Sequence, residues 1–311
     1  MNGPHRRFVT VTAVAALMLA GVVPAHAGEL SDVLERVDDA VYSGRQMVVT
    51  DWDGVSRLDV FAVEHARGVT VVDIDGRRSA VARGRVRSGT EHAVTFVEWS
   101  VGGPEADRYR VVGGGQARHL GRIGDVVGVM EGDLLRMRLV IDRQTGAPLL
   151  TQVYDDEGNV FRYASMVEFR PYTTERSMSE ATAGDYEVMT AAETPMLPRK
   201  AGGYERSDSY LGPEGAEQGF FTDGLFSFSL FRLDGLHDIG KLAQGSPRVM
   251  GGAQYMVAVA PSELWVLWNS PDATFVLVGD LPPDHLEAVL ADLPRPGSRS
   301  FLSRIWHGIF G

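Results

Sequence analysis

The chain has 311 residues, 41 acidic against 30 basic side chains, a formal net charge of -11 and no cysteine. A surface this acidic argues against nucleic acid as a partner. The lack of cysteine excludes disulfides, thiol chemistry and cysteine metal ligands, and the length suits two domains of ordinary size.

The N-terminus reads as a secretory signal over residues 1–27. Arg6 and Arg7 precede an apolar run over residues 9–23, and Ala25-His26-Ala27 places small residues where a signal peptidase cuts. An uncleaved N-terminal anchor is the alternative. Lipid attachment is excluded, because no cysteine follows the run.

Residues 30–41 predict an amphipathic helix, with Leu30, Val33, Leu34, Val37 and Val41 on one stripe and Gly44 as its C-terminal stop. Short strands are expected at 46–50, 58–64, 69–74, 80–86, 92–99 and 109–112, each flanked by turn residues. Gly113-Gly114-Gly115 lacks the Lys-Ser or Lys-Thr of a phosphate loop and reads as a surface loop. The clearest strand is 135–141. Leu135, Met137, Leu139 and Ile141 alternate with Arg136, Arg138 and Val140. Hairpin returns at 149–154 and 160–169 are expected to form the edge of the sheet. A long sheet with few helices must curl or bury its inner face elsewhere. Either it keeps a concave apolar groove or it fills as a sandwich, and the pattern alone leaves both open.

Residues 173–194 are poor in strand signals and read as a linker. A second, small α+β domain is expected over 195–294. Its anchor is 220–231, an aromatic strand entered through the tight turn at Asp223-Gly224. Strands at 254–260, 264–268 and 274–278 follow. Pro282-Pro283 then starts a helix carrying Leu286, Val289, Leu290 and Leu293. In the tail, residues 295–311, Phe301, Leu302, Ile305, Trp306, Ile309 and Phe310 share one helical face edged by Arg304 and His307. Such a helix can lie in a membrane interface or fill a groove on protein.

Signals for chemistry are thin. The histidines are scattered, with no His-Glu-x-x-His, and no Gly-x-Ser-x-Gly is present. The acidic turn Asp155-Asp156-Glu157 lacks the alternating ligands of a calcium loop. No catalytic residue, metal site or cofactor is expected, and the chain is read as a non-enzyme.

Three motifs carry a resemblance. Thr222-Asp223-Gly224-Leu225-Phe226-Ser227-Phe228-Ser229, Val278-Gly279-Asp280-Leu281-Pro282-Pro283 and the Asp142-Arg143-Gln144-Thr145-Gly146 turn resemble the MucB/RseB family of exported negative regulators of the sigma-E-type envelope stress response. The resemblance runs from about residue 30 to 294 and is strongest in the second domain. It implies a mainly β, α+β protein. Residues 28–172 would form a large unclosed antiparallel half-barrel with covering helices, similar to the lipoprotein carriers LolA and LolB. The small domain would follow.

It also implies a function. The chain would bind the extracytoplasmic part of a transmembrane anti-sigma factor and shield it from regulated proteolysis. A lipid or lipidated ligand in the half-barrel would release it. The expected location is periplasmic or extracytoplasmic, at the outer face of the cytoplasmic membrane. The resemblance also allows a homo-oligomer. Partner contacts are expected at Asp223, Leu225, Phe231, Pro282 and Pro283, and the groove at Leu135, Met137 and Leu139. A second reading stays open, that of a lipid or lipoprotein carrier with no dedicated partner.

Overall fold

The structure is a computed structural model. It describes residues 30–66, 69–74, 77–82, 85–87, 108–172, 193–212, 215–242, 245–260 and 263–297. The expected signal, the strand at 92–99, most of the linker and the aromatic tail lie outside the described residues.

The fold is mainly β and consists of two antiparallel sheets with short helices. Ten strands form the large sheet: β1 (Val41–Trp52), β2 (Val55–Ala66), β3 (Val69–Ile74), β4 (Arg77–Ala82), β5 (Arg85–Arg87), β6 (Tyr109–His119), β7 (Arg122–Glu131), β8 (Leu134–Asp142), β9 (Pro148–Tyr154) and β10 (Val160–Pro171). Their spatial order is β5-β4-β3-β2-β1-β10-β9-β8-β7-β6. Both ends of that order are edges, so among the described residues the sheet curls without closing. The hairpins β8–β9–β10 lie in its middle rather than at its edge, because β10 pairs with β1. The expected strand at 80–86 is two strands, β4 and β5.

Helix α1 (Leu30–Asp38) covers this sheet. Leu30, Leu34 and Val37 are buried, one helical face three residues wide. Asp32 in the first turn and Arg36 in the last suit the helix dipole. The helix ends earlier than its stripe predicts, and Gly44 is not its stop. Gly44 sits inside β1 between Val63 and Phe169. A Cβ there would collide with the Glu168 carbonyl, so this glycine permits a close strand approach. Gly113-Gly114-Gly115 is likewise strand rather than loop, with the register of β6 slipping between Gly113 and Gln116 as at a bulge.

The turn after β8 shows why its motif has those residues. Asp142 accepts from the Thr145 N–H at 3.0 Å and the Thr145 hydroxyl at 2.7 Å, and Gly146 takes a φ of 79°. Arg122 clamps both Asp142 oxygens at 2.9 Å. Burial opposes the Asp142 charge, but these donors hold its pKa below the ordinary value.

Eight strands form the small sheet: β11 (Lys200–Ala201), β12 (Tyr204–Leu211), β13 (Glu217–Thr222), β14 (Ser227–Asp234), β15 (Ser246–Met250), β16 (Ala253–Val259), β17 (Leu264–Asn269) and β18 (Ala273–Gly279). They run β11-β12-β13-β14-β18-β17-β16-β15. Helices α2 (Ile239–Leu242) and α3 (Pro283–Asp292) complete it. The expected single strand at 220–231 is a hairpin, β13 and β14, around the Asp223-Gly224 turn.

That turn is wired through its motif. Asp223 Oδ1 accepts from the N–H groups of Leu225 (3.0 Å) and Phe226 (2.8 Å), and the Thr222 hydroxyl donates to the Phe226 carbonyl at 3.0 Å. Gly224 has a φ of 90°. Gly279 approaches β14 so closely that a Cβ would lie 2.6 Å from that of Phe228. Pro283 begins α3, where a missing N–H costs nothing.

The core does not divide between the sheets. One cluster joins α1 and the inner side chains of β6 to β9 to Tyr204, Phe221, Leu225, Phe226, Phe228, Trp268 and Leu286. A second holds Tyr42, Val48, Phe61, Val63, Val72 and Met166 under the β1–β3 side. A third lies across β17 and β18, with Leu267, Val276 and Val278 packed by Phe231, Ile239, Met256 and Trp265.

Candidate functional site

Inside the curl of the large sheet is a cavity of about 170 Å³. Leu34 and Val37 of α1 roof it. Val48, Phe61, Val63 and Val72 line one side, and Met137 and Val153 the other. Its floor carries Arg162 from β10, with Leu225 and Asp280 from the small-sheet side. The lining is therefore apolar with a few polar groups, the form of a small-molecule site.

One polar group is the His65 imidazole. The Asp38 carbonyl, 3.0 Å from Nε2, can only accept, so Nε2 carries the proton and Nδ1 accepts from the Thr70 hydroxyl at 2.8 Å. Burial pushes the His65 pKa down, although the Asp38 carbonyl and charge oppose it. The neutral ring stacks on Tyr42 at 5.2 Å between centroids.

Asp38, Gln46, Thr70 and Thr151 also reach the lining, and so does Arg162, which is 8% exposed. Its Nε donates to Thr50 at 3.2 Å, and its Nη1 lies 3.5 Å from Asp280 Oδ2. Arg162 Nη2 and Asp280 Oδ1 are buried and have no hydrogen-bond partner. Burial pushes the Asp280 pKa up to about 6 against the pull of Arg162, and it pushes the Arg162 pKa down.

A polar seam joins the two sheets beside the cavity. Tyr109 donates to Asp223 Oδ2 at 2.6 Å, and both are buried. Arg136 grips Asp284 with two bonds, 2.6 and 3.2 Å, and donates to Glu131 at 2.6 Å. Arg108 also pairs with Glu131. His285 lies 3.1 Å from Glu131 through Nε2 and 2.7 Å from the Tyr204 hydroxyl through Nδ1. Burial opposes the Glu131 charge, but His285, Arg136 and Arg108 outweigh it and hold the pKa down to about 2. Burial, reinforced by the Asp223 charge, pushes both Tyr109 and Tyr204 well above the ordinary tyrosine range. At the far end of the contact, Arg248 of β15 meets Asp53 of the β1–β2 turn at 2.9 Å.

The expected site residues separate in space. Of the groove set, Met137 lines the cavity, Leu139 is fully buried in the main cluster and Leu135 is half-buried. Of the partner set, Asp223 and Leu225 are buried against the large sheet, and Pro282 is buried at the start of α3. Phe231 packs instead on the β17–β18 cluster and is half-buried, as is Pro283. The aromatic tail residues lie outside the described residues. Sequence reasoning missed Val48, Phe61, Val63 and Val72 as walls. It also missed Arg162 and Arg136, whose burial depends on partners more than a hundred residues away. Asp280 was in view only as part of its motif. Among the described residues no group of three or more His, Asp or Glu could hold a metal. No described helix is long and apolar enough to cross a membrane.

An unclosed, helix-roofed β half-barrel carrying a small α+β unit is the fold of MucB. The chain superposes on one in the complex structure of Pseudomonas aeruginosa MucA/MucB with a TM-score of 0.52 and 19% identity, covering 88% of this chain and 100% of that one. A crystal structure of MucB in complex with MucA(peri) gives 0.49 and 20%, covering 87% and 99%. A LolA superfamily protein from Nitrosomonas europaea gives 0.22 and 9%, covering 83% and 97%. No family model and no curated protein matches the sequence.

Proposed function

We propose that this chain is an exported, non-enzymatic regulator. It binds the extracytoplasmic part of a transmembrane anti-sigma factor and shields it from proteolysis, and a lipid-like ligand in the half-barrel relieves that grip. The observation that carries the reading is the likeness to a chain solved in a MucA/MucB complex, which spans that chain's whole length. The three motifs that resemble the MucB/RseB family support it, since each builds a turn or close approach in this fold. In this reading Phe231 and Pro283, which keep exposed surface, contact the partner. Asp223, Leu225 and Pro282 set the turn and helix behind them. The tail face of Phe301, Leu302, Ile305, Trp306, Ile309 and Phe310 holds the protein at the membrane.

The test is capture from envelope extract by the chain from residue 28, followed by protease challenge of whatever binds. The expected result is a single-span protein whose outer part is cut more slowly in the complex. Failure to capture one in the presence or absence of lipid overturns the reading. Deleting residues 299–311 should lower the membrane-bound fraction without changing the unfolding midpoint, and unchanged partition removes the tether.

The cavity favours a second reading, a lipid or lipoprotein carrier without a dedicated partner. Ligand transfer between vesicles without capture of any protein would select it.

A further inference from the structure

Two buried arginines of the large sheet are served very differently. Arg136 meets two carboxylates at 2.6 Å. For Arg162 the Asp280 carboxylate lies at 3.5 Å, beyond the 2.7–2.9 Å or so of a charge-assisted hydrogen bond, and the buried Glu263 adds its charge. Its Nη2 is unpartnered, as is Asp280 Oδ1. Both residues border the cavity. A guanidinium left short of acceptors in a low dielectric is costly, and the cavity beside it is the open direction from which an acceptor can come.

We infer that Arg162 is the head-group anchor of the cavity, for an amphiphile with one anionic head and a short apolar chain, whose head replaces the Asp280 carboxylate on the guanidinium. The volume suits a small apolar body, since a cavity of roughly 150 Å³ takes a benzene ring. Val48, Phe61 and Val63 supply the wall for that body. The exchange is easy on the protein side. The Asp280 carboxylate already sits near a pKa of about 6, so burial favours its protonation once Arg162 turns to another anion. A backbone hydrogen bond involving Ser227 bears on the Asp280 carboxylate. Head-group capture therefore severs one tie between the sheets. The inference rests on the ligand half of the proposed function, and capture of a protein partner does not depend on it.

The experiment is calorimetric titration of the chain from residue 28 with octanoate, octanol, octylamine and octyl phosphate. A charge-assisted contact made on binding is worth about 1.5–3 kcal/mol, so at least one of the two anions should bind about ten- to a hundredfold more tightly than octanol. The tighter of the two assigns the head as carboxylate or phosphate. Asp280→Asn removes the competing carboxylate and should raise anion affinity. Arg162→Met should lower it to that of octanol. The double variant Arg162→Met/Asp280→Asn removes both members of the pair, keeps the test open if the single arginine variant does not fold, and should also show no preference. Equal binding of octanol and both anions by the unaltered chain would overturn the proposal. So would a shift in the same direction from Asp280→Asn and from loss of Arg162.

Discussion

The small sheet fills its inner face with rings, whereas the large sheet lines much of its inner face with branched aliphatics. In the small sheet Phe221 and Phe228 stack at 4.8 Å with planes 2° apart, and Trp268 stacks on Phe275 at 5.2 Å. In the large sheet Val48, Val63, Val72 and Val153 face a nine-residue helix across a gap, and a cavity remains. Both sheets are antiparallel and both carry helices. The difference lies in side-chain volume, and it separates a region built to hold its shape from one with room to take something in.

The largest expected effect comes from breaking the filled side. Phe228→Ala removes a fully buried ring against Phe221, and denaturant unfolding should report a loss of about 3–5 kcal/mol. A comparable loss, about 3–5 kcal/mol, is expected for Arg136→Met at the seam, because it leaves Asp284 without the two bonds that balance its charge. If unfolding then shows two transitions, the shared core is weaker than the seam. Filling the open side should do the reverse. Ala164→Leu projects into the cavity and should add about 0.5–2 kcal/mol while reducing octanol binding. Loss of stability there would mean that the gap closes in solution.

The last expected effect is a pair of opposite pH slopes. Glu131 has a folded pKa of about 2 against 4.5. The unfolded chain binds more protons between those values, so stability is lost as pH falls from 4.5 toward 2. Asp280 is raised to about 6 from 3.8. Here the folded chain binds more protons, so stability falls as pH rises from 3.8 to 6. Urea midpoints should show Glu131→Gln flattening the acid-side loss and Asp280→Asn flattening the decline toward pH 6.

Local chemistry made much of the fold readable from sequence. Thr222-Asp223-Gly224, Asp142 with Thr145 and Gly146, and Pro282-Pro283 all act within a few residues of themselves, so their patterns stand on their own. The strand β8 was visible because its apolar face alternates over its whole length. The strand β7 was not, since Gly124 and Gly128 interrupt it and adjacent Val126 and Val127 hide the period. Similarly, β12 is polar along Glu205, Arg206, Ser207, Asp208 and Ser209, and it is held in the sheet by pairing with β13. The candidate site was harder to read. Whether Arg136 or Arg162 is buried depends on Asp284 and Asp280, which other parts of the fold deliver.

Two of the ion contacts between the sheets differ in their exposure to solvent. Arg248 and Asp53 are 31% and 58% exposed at their side chains, whereas Arg136 is 4% exposed against Asp284 at 21%. Dissolved ions weaken the first far more than the second. Rising ionic strength thus unclasps one end of the joint and leaves the other latched, which turns the Arg136 end into the fulcrum of any rocking between the sheets.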